Sequence, residues 1–273
     1  MTTPTQSTHV VMTEGLGPVP VTLIERGAGR PLLLLHGGAG PFSVAGFAEL
    51  LASADARVLT PVHPGFDGTP RPDGLHSISA LAAVYVQLIN DLDVTDVCVI
   101  GNSIGGWIAA EIALAESINP TGRISSVILV DAAGITLDTA PVPDFFQLSL
   151  DEVFALSYFE PDRYRVDPAS LTDQQKAARA ANSAALLAYA GTAMSDASLL
   201  GRLPGVTIPT LVVWGAADRM IPVAHGHAYA DAIPRAEFRL IATAGHLPQL
   251  EAPAELFELT SQFAVSHASR VTG

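Results

Sequence analysis

Val97-Cys98-Val99-Ile100-Gly101-Asn102-Ser103-Ile104-Gly105-Gly106 is the stretch on which the fold turns. Its first four residues are continuously apolar, the pattern of a strand buried on both faces. G-x-S-x-G follows, and then an amphipathic helical pattern over residues 106–116. A chain leaving a strand and entering a helix this abruptly has little room for side chains, and Gly101 and Gly105 permit the close backbone approach. The turn places Ser103 at a helix N-terminus, where unpaired N–H groups and the helix dipole favour negative charge. The strand before and the helix after separate a nucleophile elbow from an accidental glycine-rich turn.

The same alternation extends outward in both directions. Short apolar runs occupy residues 21–24, 32–35, 57–62, 127–130, 210–214 and 238–241. Between them, 47–52, 77–92, 223–232 and 253–265 carry apolar residues three or four apart; Leu256, Leu259 and Phe263 fall on one helical stripe. Alternating strands and helices predict a mostly parallel sheet covered on both sides, with the first strands as an antiparallel edge. The alternation stops after Val130. From about Ile135 to Leu203 the chain has proline-marked turns at 141, 143, 161 and 168 and an alanine-rich helical pattern over 172–189. This predicts a core of residues 1–134, a helical cap insertion of 135–205, and a second part of the core at 206–273. In open α/β sheets ligands bind at the carboxyl edge of the strands, where this insertion would lie.

A serine hydroxyl needs a base, and the base needs an orienting group. The run at 210–214 leads into Gly215-Ala216-Ala217-Asp218, and the run at 238–241 leads into Ala244-Gly245-His246. Ser103, Asp218 and His246 thus each follow a different buried strand at one sheet edge, in the chain order expected for this architecture. His36-Gly37-Gly38-Ala39-Gly40-Pro41 follows the run at 32–35. Acyl transfer creates an oxyanion that backbone N–H groups must meet. The expected donors are Ile104, directly after the nucleophile, and Gly38. A phosphate loop is the competing reading of these glycines, but no G-K-[ST] or dinucleotide spacing accompanies them. Asp131 also ends a strand; Asp218 is preferred as the orienting acid, and Asp131 is expected to cap the turn that follows it.

Composition narrows the function classes. The chain has 273 residues, 14 Lys+Arg against 27 Asp+Glu, and a net charge of −13. With 49% hydrophobic and 15% charged residues it is a globular rather than a disordered sequence. A pI near 4.8 argues against neutralising a run of phosphates. Lys176 is the only lysine, so there is no polybasic membrane anchor. Cys98 is the only cysteine, which excludes an intrachain disulfide and a cysteine metal cluster. The first eight residues have neither basic nor apolar character, and no apolar run reaches bilayer length, so a cytoplasmic location is expected. The expected partner is a small-molecule substrate rather than nucleic acid or membrane, with no cofactor and no metal.

Together, HGGAG, GNSIGG, WGAADRMIP and AGHLPQLEAP, in this order, resemble the α/β-hydrolase fold superfamily. The resemblance spans about residues 20 to 265. It implies a mostly parallel eight-stranded sheet flanked by helices with a helical cap, Ser103 as nucleophile, His246 as general base and acid, and Asp218 as its orienting acid. His63-Pro64-Gly65-Phe66-Asp67-Gly68 resembles the family's structural turn after the fourth strand. Epoxide hydrolases and haloalkane dehalogenases carry Asp at the elbow, which Ser103 excludes. Asn102 and Gly40-Pro41 resemble the hydrolases that cleave carbon–carbon bonds in meta-cleavage products, although those usually have an aromatic where this chain has Leu247. Cofactor-free perhydrolases share the same triad. The prolyl-iminopeptidases share the HGG start but usually place an aromatic after the serine.

Other residues carry quieter readings. His36 is expected to shape the oxyanion loop, His225 and His227 to lie on the surface, and Cys98, Trp107 and Trp214 to pack. Gly37, Asn102, Phe145, Phe146 and Tyr158 are candidates for the substrate pocket, with Phe154, Phe159, Tyr189 and Met194 as further aromatic and apolar material in the cap. Arg163, Arg165 and Arg179 are candidates to meet a carboxylate, but surface charge is the preferred reading. The expected activity is hydrolysis of a small to medium apolar carboxylic ester, thioester or lactone through an acyl-enzyme. The alternatives are a meta-cleavage-type carbon–carbon hydrolase and, in another class, a non-catalytic ligand receptor or scaffold.

Overall fold

The computed structural model describes residues 3–268. Eight strands form one sheet: β1 Thr5–Thr13, β2 Gly17–Gly27, β3 Arg30–Leu35, β4 Ala56–Val62, β5 Val97–Asn102, β6 Ile124–Val130, β7 Thr210–Gly215 and β8 Glu237–Ile241. Their order is β1-β2-β4-β3-β5-β6-β7-β8. The β1–β2 and β2–β4 pairs are antiparallel and every later pair is parallel. This is the predicted mostly parallel architecture with an antiparallel edge.

The continuous apolar runs are explained by burial on both faces. Leu33, Leu35, Val97, Val99 and Leu129 pack into one core cluster, with helices α2 (Ile78–Asp91), α3 (Ile104–Ile118) and α8 (Val223–Ala232). Leu32, Leu34, Cys98, Ile100 and Ile128 alternate with them and face the other cluster, under α1 (Phe42–Ala52) and α10 (Pro253–Ser266). Period-two alternation along each strand therefore feeds two cores rather than one core and solvent.

Two elements differ from expectation. Strand β1 lies outside the expected apolar runs: its only apolar residues are Val10, Val11 and Met12, and of these Val10 is 61% and Met12 62% exposed while Val11 between them is buried. Strand β7 begins at Thr210, where the apolar run begins, and Pro209, which has no N–H for a ladder, immediately precedes it. Helix α1 starts at Phe42 rather than near Phe47, directly after Pro41.

No strand lies between β6 and β7 among the described residues. That interval holds α4 (Leu150–Ser157), α5 (Pro161–Tyr164), α6 (Asp173–Ala190) and α7 (Leu199–Arg202). Capping boxes start the two longer helices, Ser149 with Glu152 on α4 and Thr172 with Gln175 on α6. Among the described residues no helix is long and apolar enough to cross a membrane.

Candidate active site

All the parallel strands end at one edge of the sheet, and the chemistry-bearing residues sit in the loops that leave it. Ser103 follows β5 with φ 55° and ψ −119°, a conformation rarely open to a residue with a side chain. The turn is held by Ser103 N–H donating to Val130 O at 2.9 Å and Ala133 N–H to Ser103 O at 3.0 Å. Its tightness explains the glycines. A Cβ on Gly101 would lie 2.1 Å from Gly105 O, and one on Gly105 2.3 Å from Leu35 O.

Asp218 leaves β7 and His246 leaves β8. His246 Nε2 lies 2.9 Å from Ser103 Oγ, and Nδ1 lies 2.8 Å from Asp218 Oδ2. The other oxygen of Asp218 accepts the N–H groups of Met220 at 2.9 Å and Ile221 at 2.8 Å. A carboxylate at Asp218 accepts from Nδ1–H, which leaves Nε2 to accept from the serine hydroxyl. All three residues are buried. The structure thus brings the three sequence-predicted side chains into one hydrogen-bonded row. Trp214 contributes more than packing, since its indole N–H donates to Ile221 O at 2.9 Å and steadies the Asp218 loop.

The glycine loop after β3 is oriented by two histidines. His63 N–H donates to His36 Nε2 at 3.1 Å, so Nδ1 of His36 carries the proton and donates to Gly37 O at 2.8 Å. The peptide is planar and trans, so drawing Gly37 C=O toward His36 turns the Gly38 N–H the opposite way. Burial lowers the His36 pKa to about 4 and pushes His63 down as well, so both rings stay neutral. Gly37 packs against the elbow: a Cβ there would lie 3.2 Å from Ser103 Cβ.

A cavity of about 440 Å³ opens above Ser103 and His246. Gly37, Gly38, Asn102, Phe145, Phe146 and Tyr158 all border it, as do Phe154 and Met194. Phe159 is instead 45% exposed, and Tyr189 donates its hydroxyl to Pro64 O at 2.9 Å. Asn102 also ties the elbow to the histidine loop, donating to His246 O at 3.2 Å and accepting from Gln249 at 3.2 Å. The wall that the sequence did not reveal comes from α6. Arg179, Asn182, Ser183 and Leu186 line the cavity at helical i, i+3, i+4, i+7 spacing. Arg179 is exposed, as expected of a surface charge, and also borders the cavity. Asn182 donates to Ala39 O at 3.2 Å and accepts from Asp67 N–H at 2.7 Å, joining α6 to the glycine loop.

A match to the family model described as the alpha/beta hydrolase family covers residues 32–259. The chain belongs to the alpha/beta hydrolase family. Among similar proteins is the 2-hydroxy-6-oxononadienedioate/2-hydroxy-6-oxononatrienedioate hydrolase of Cupriavidus pinatubonensis, 29% identical over 83% of this chain and 84% of the relative. Another is the 2-hydroxy-6-oxo-6-(2'-aminophenyl)hexa-2,4-dienoic acid hydrolase of Metapseudomonas resinovorans, 24% identical over 94% of this chain and 92% of the relative. Among solved structures, an esterase from Thermogutta terrifontis superposes with a TM-score of 0.76 at 23% identity, covering 97% of this chain and 100% of that one.

Two quieter expectations for this alpha/beta hydrolase are corrected by the geometry. His225 is not a surface residue; it is buried, and its Nε2 donates to Ala140 O at 2.7 Å, whereas His227 is exposed. Asp131 does not cap its own turn. Its Oδ1 accepts the N–H of Gly215, at the end of the neighbouring strand, at 2.9 Å. Metal-ligand atoms of Asp131, Asp218 and His246 lie within 4.8 Å of one another, but Nδ1 and Oδ2 already bond each other there. Burial raises the Cys98 thiol pKa to about 11, which keeps it an unreactive core residue.

Proposed function

We propose that this alpha/beta hydrolase is a serine hydrolase acting on a carbonyl carbon of a small to medium apolar substrate. The observation that carries the reading is the row Ser103–His246–Asp218, with contacts of 2.9 and 2.8 Å, opening onto a largely apolar-walled cavity. His246 Nε2 takes the hydroxyl proton as Ser103 Oγ attacks, and Asp218 stabilises the imidazolium through Nδ1–H. The N–H groups of Ile104 and Gly38 meet the oxyanion. His246 returns the proton to the leaving group, and water releases the acyl group from Ser103 by the same steps in reverse. The helices between β6 and β7 act as a cap that excludes bulk water. An ester, thioester or lactone is the simplest bond for this machinery, because its leaving oxygen or sulfur needs only that one proton.

A second reading is favoured by a specific observation. Arg179 brings a guanidinium to an otherwise mostly apolar cavity, which suits a substrate that ends in a carboxylate. Several relatives are named for hydrolysis of dienoic or dienedioic acids. Carbon–carbon cleavage of a vinylogous diketone uses the same serine attack, with the departing carbon taking the proton. Leu247 departs from the aromatic of that group.

Purified enzyme assayed on short-chain aryl esters and on coloured meta-cleavage products separates these two bonds by kcat/KM. Ser103→Ala lowers turnover of the better substrate by about four orders of magnitude. Full turnover by Ser103→Ala would refute the serine mechanism. Saturable ligand binding without turnover, and without covalent labelling by a fluorophosphonate, would instead mark a receptor.

A further inference from the structure

Asp131 is a buried carboxyl group that the mechanism above does not use. It follows β6 in a left-handed conformation, φ 46°, fixed by its own N–H donating to Val213 O at 3.0 Å. Its side chain is fully buried; Oδ1 accepts one N–H, from Gly215, and Oδ2 is buried without a hydrogen-bond partner. One oxygen of Asp131, one of Asp218 and one ring nitrogen of His246 lie within 4.8 Å of one another. Two carboxylates this close in a buried place do not both stay ionised. The donors decide which one keeps its charge. Asp218 receives three N–H groups, from Met220, Ile221 and His246, against the single one at Asp131.

We infer that Asp131 is a protonated positioning residue whose Oδ2–H donates to Asp218, holding that carboxylate as an anion aimed at His246. The inference rests on the Asp218–His246 reading for its effect on rate, though not for the protonation itself. The surroundings agree. Burial and then the Asp218 charge push the Asp131 pKa well above the usual carboxylate range, and Glu251, on helix α9 (Pro248–Glu251), adds a further negative field. His225 on α8 faces Asp218 as well, and burial keeps it neutral by lowering its pKa. The shared proton removes one negative charge from the pair and supplies a fourth donor to Asp218. The second strand-end acid is thereby a neutral hydrogen-bond donor rather than a competing base.

The deciding measurement is the infrared difference spectrum of wild type minus Asp131→Asn at pH 7. It should contain the carbonyl stretch of a protonated carboxylic acid, shifted in deuterium oxide. A wild-type enzyme without that band overturns the inference, and this outcome does not depend on turnover. In kinetics, Asp131→Ala lowers kcat about tenfold with little change in KM. Asparagine at the same position rescues the rate, because its amide still accepts from Gly215 and still donates to Asp218. The acid limb of kcat/KM against pH stays in place in Asp131→Asn, one neutral donor having replaced another. A fall of that limb by about one pH unit would mean a negative charge had been removed beside His246, and would overturn the inference. Wild-type kcat in Asp131→Ala would overturn the positioning role. If the Ala variant does not fold, the Asn variant and the spectrum decide alone. An enzyme that shows the band but retains full turnover in Ser103→Ala would refute the serine mechanism and leave the proton where it is placed here.

Discussion

A methyl group on Gly105 would sit 2.3 Å from the Leu35 carbonyl oxygen, well inside contact distance, and neither strand β3 nor helix α3 has room to yield. Gly105→Ala is therefore expected to destabilise the fold by about 2–3 kcal/mol and to displace Ser103. Urea unfolding midpoints and ester turnover measured together check both effects. The same scale governs Asp218. Replacing it by Asn presents an amide whose N–H can donate to Nδ1, which favours the tautomer with the proton on Nε2. Asp218→Asn should lower kcat by about 10³–10⁴ while leaving the unfolding midpoint nearly unchanged. Ser103, Asp218 and His246 were all legible as residues, because each stands shortly after a glycine near the end of a strand, although β8, before His246, is a largely exposed edge strand rather than the buried one expected. The partner of Asp131 was not, since Gly215 lies 84 positions along the chain.

Helix α6 shows what a single element adds. Its sequence, alanine-rich with mean side-chain polarity well mixed, does not announce which face is covered. The packed helix turns Arg179, Asn182, Ser183 and Leu186 to the cavity. Asn182→Ala removes partners from Ala39 C=O and Asp67 N–H and should cost about 2 kcal/mol of stability. Its loosened wall should raise KM more than it lowers kcat, which steady-state kinetics beside chemical denaturation would register. Arg179→Gln should raise KM for an acidic substrate by at least about tenfold and leave a neutral aryl ester unaffected. Equal effects on both substrates would exclude a carboxylate contact there. The i, i+3, i+4, i+7 spacing of these four residues was present in the sequence. A polar stripe on a helix is ordinarily the solvated face, so the spacing acquires its meaning only from what it packs against.

Across the whole molecule, burial sets a pH limit. His36 has a pKa of about 4 in the fold against 6.5 when exposed, and His63 is lowered too. The unfolded chain binds more protons than the native one between those values, so stability is complete above about pH 6.5 and falls as the pH drops toward 4. His36 alone accounts for about 3 kcal/mol of that loss, and His63 adds to it. Urea midpoints between pH 7 and pH 4 should fall steadily; a flat profile would contradict neutral burial of this pair. The two-faced core behind these histidines follows from the runs at β3, β5, β6 and β7, continuous because both sides of each strand are covered. By itself the sequence determined the alternation of strands and helices from β2 onward, the elbow around Ser103 and the residue types in each loop at the sheet edge. Those features depend on apolar period and on the steric needs of a few glycines, which act within a handful of neighbouring residues. Only the tertiary structure decided that polar Thr5–Thr13 joins the sheet, that His225 is buried, that α6 walls the cavity, and that Asp131 faces Asp218. Each of these is a contact between segments distant along the chain, and local pattern does not encode which surfaces meet once the strands have been placed side by side.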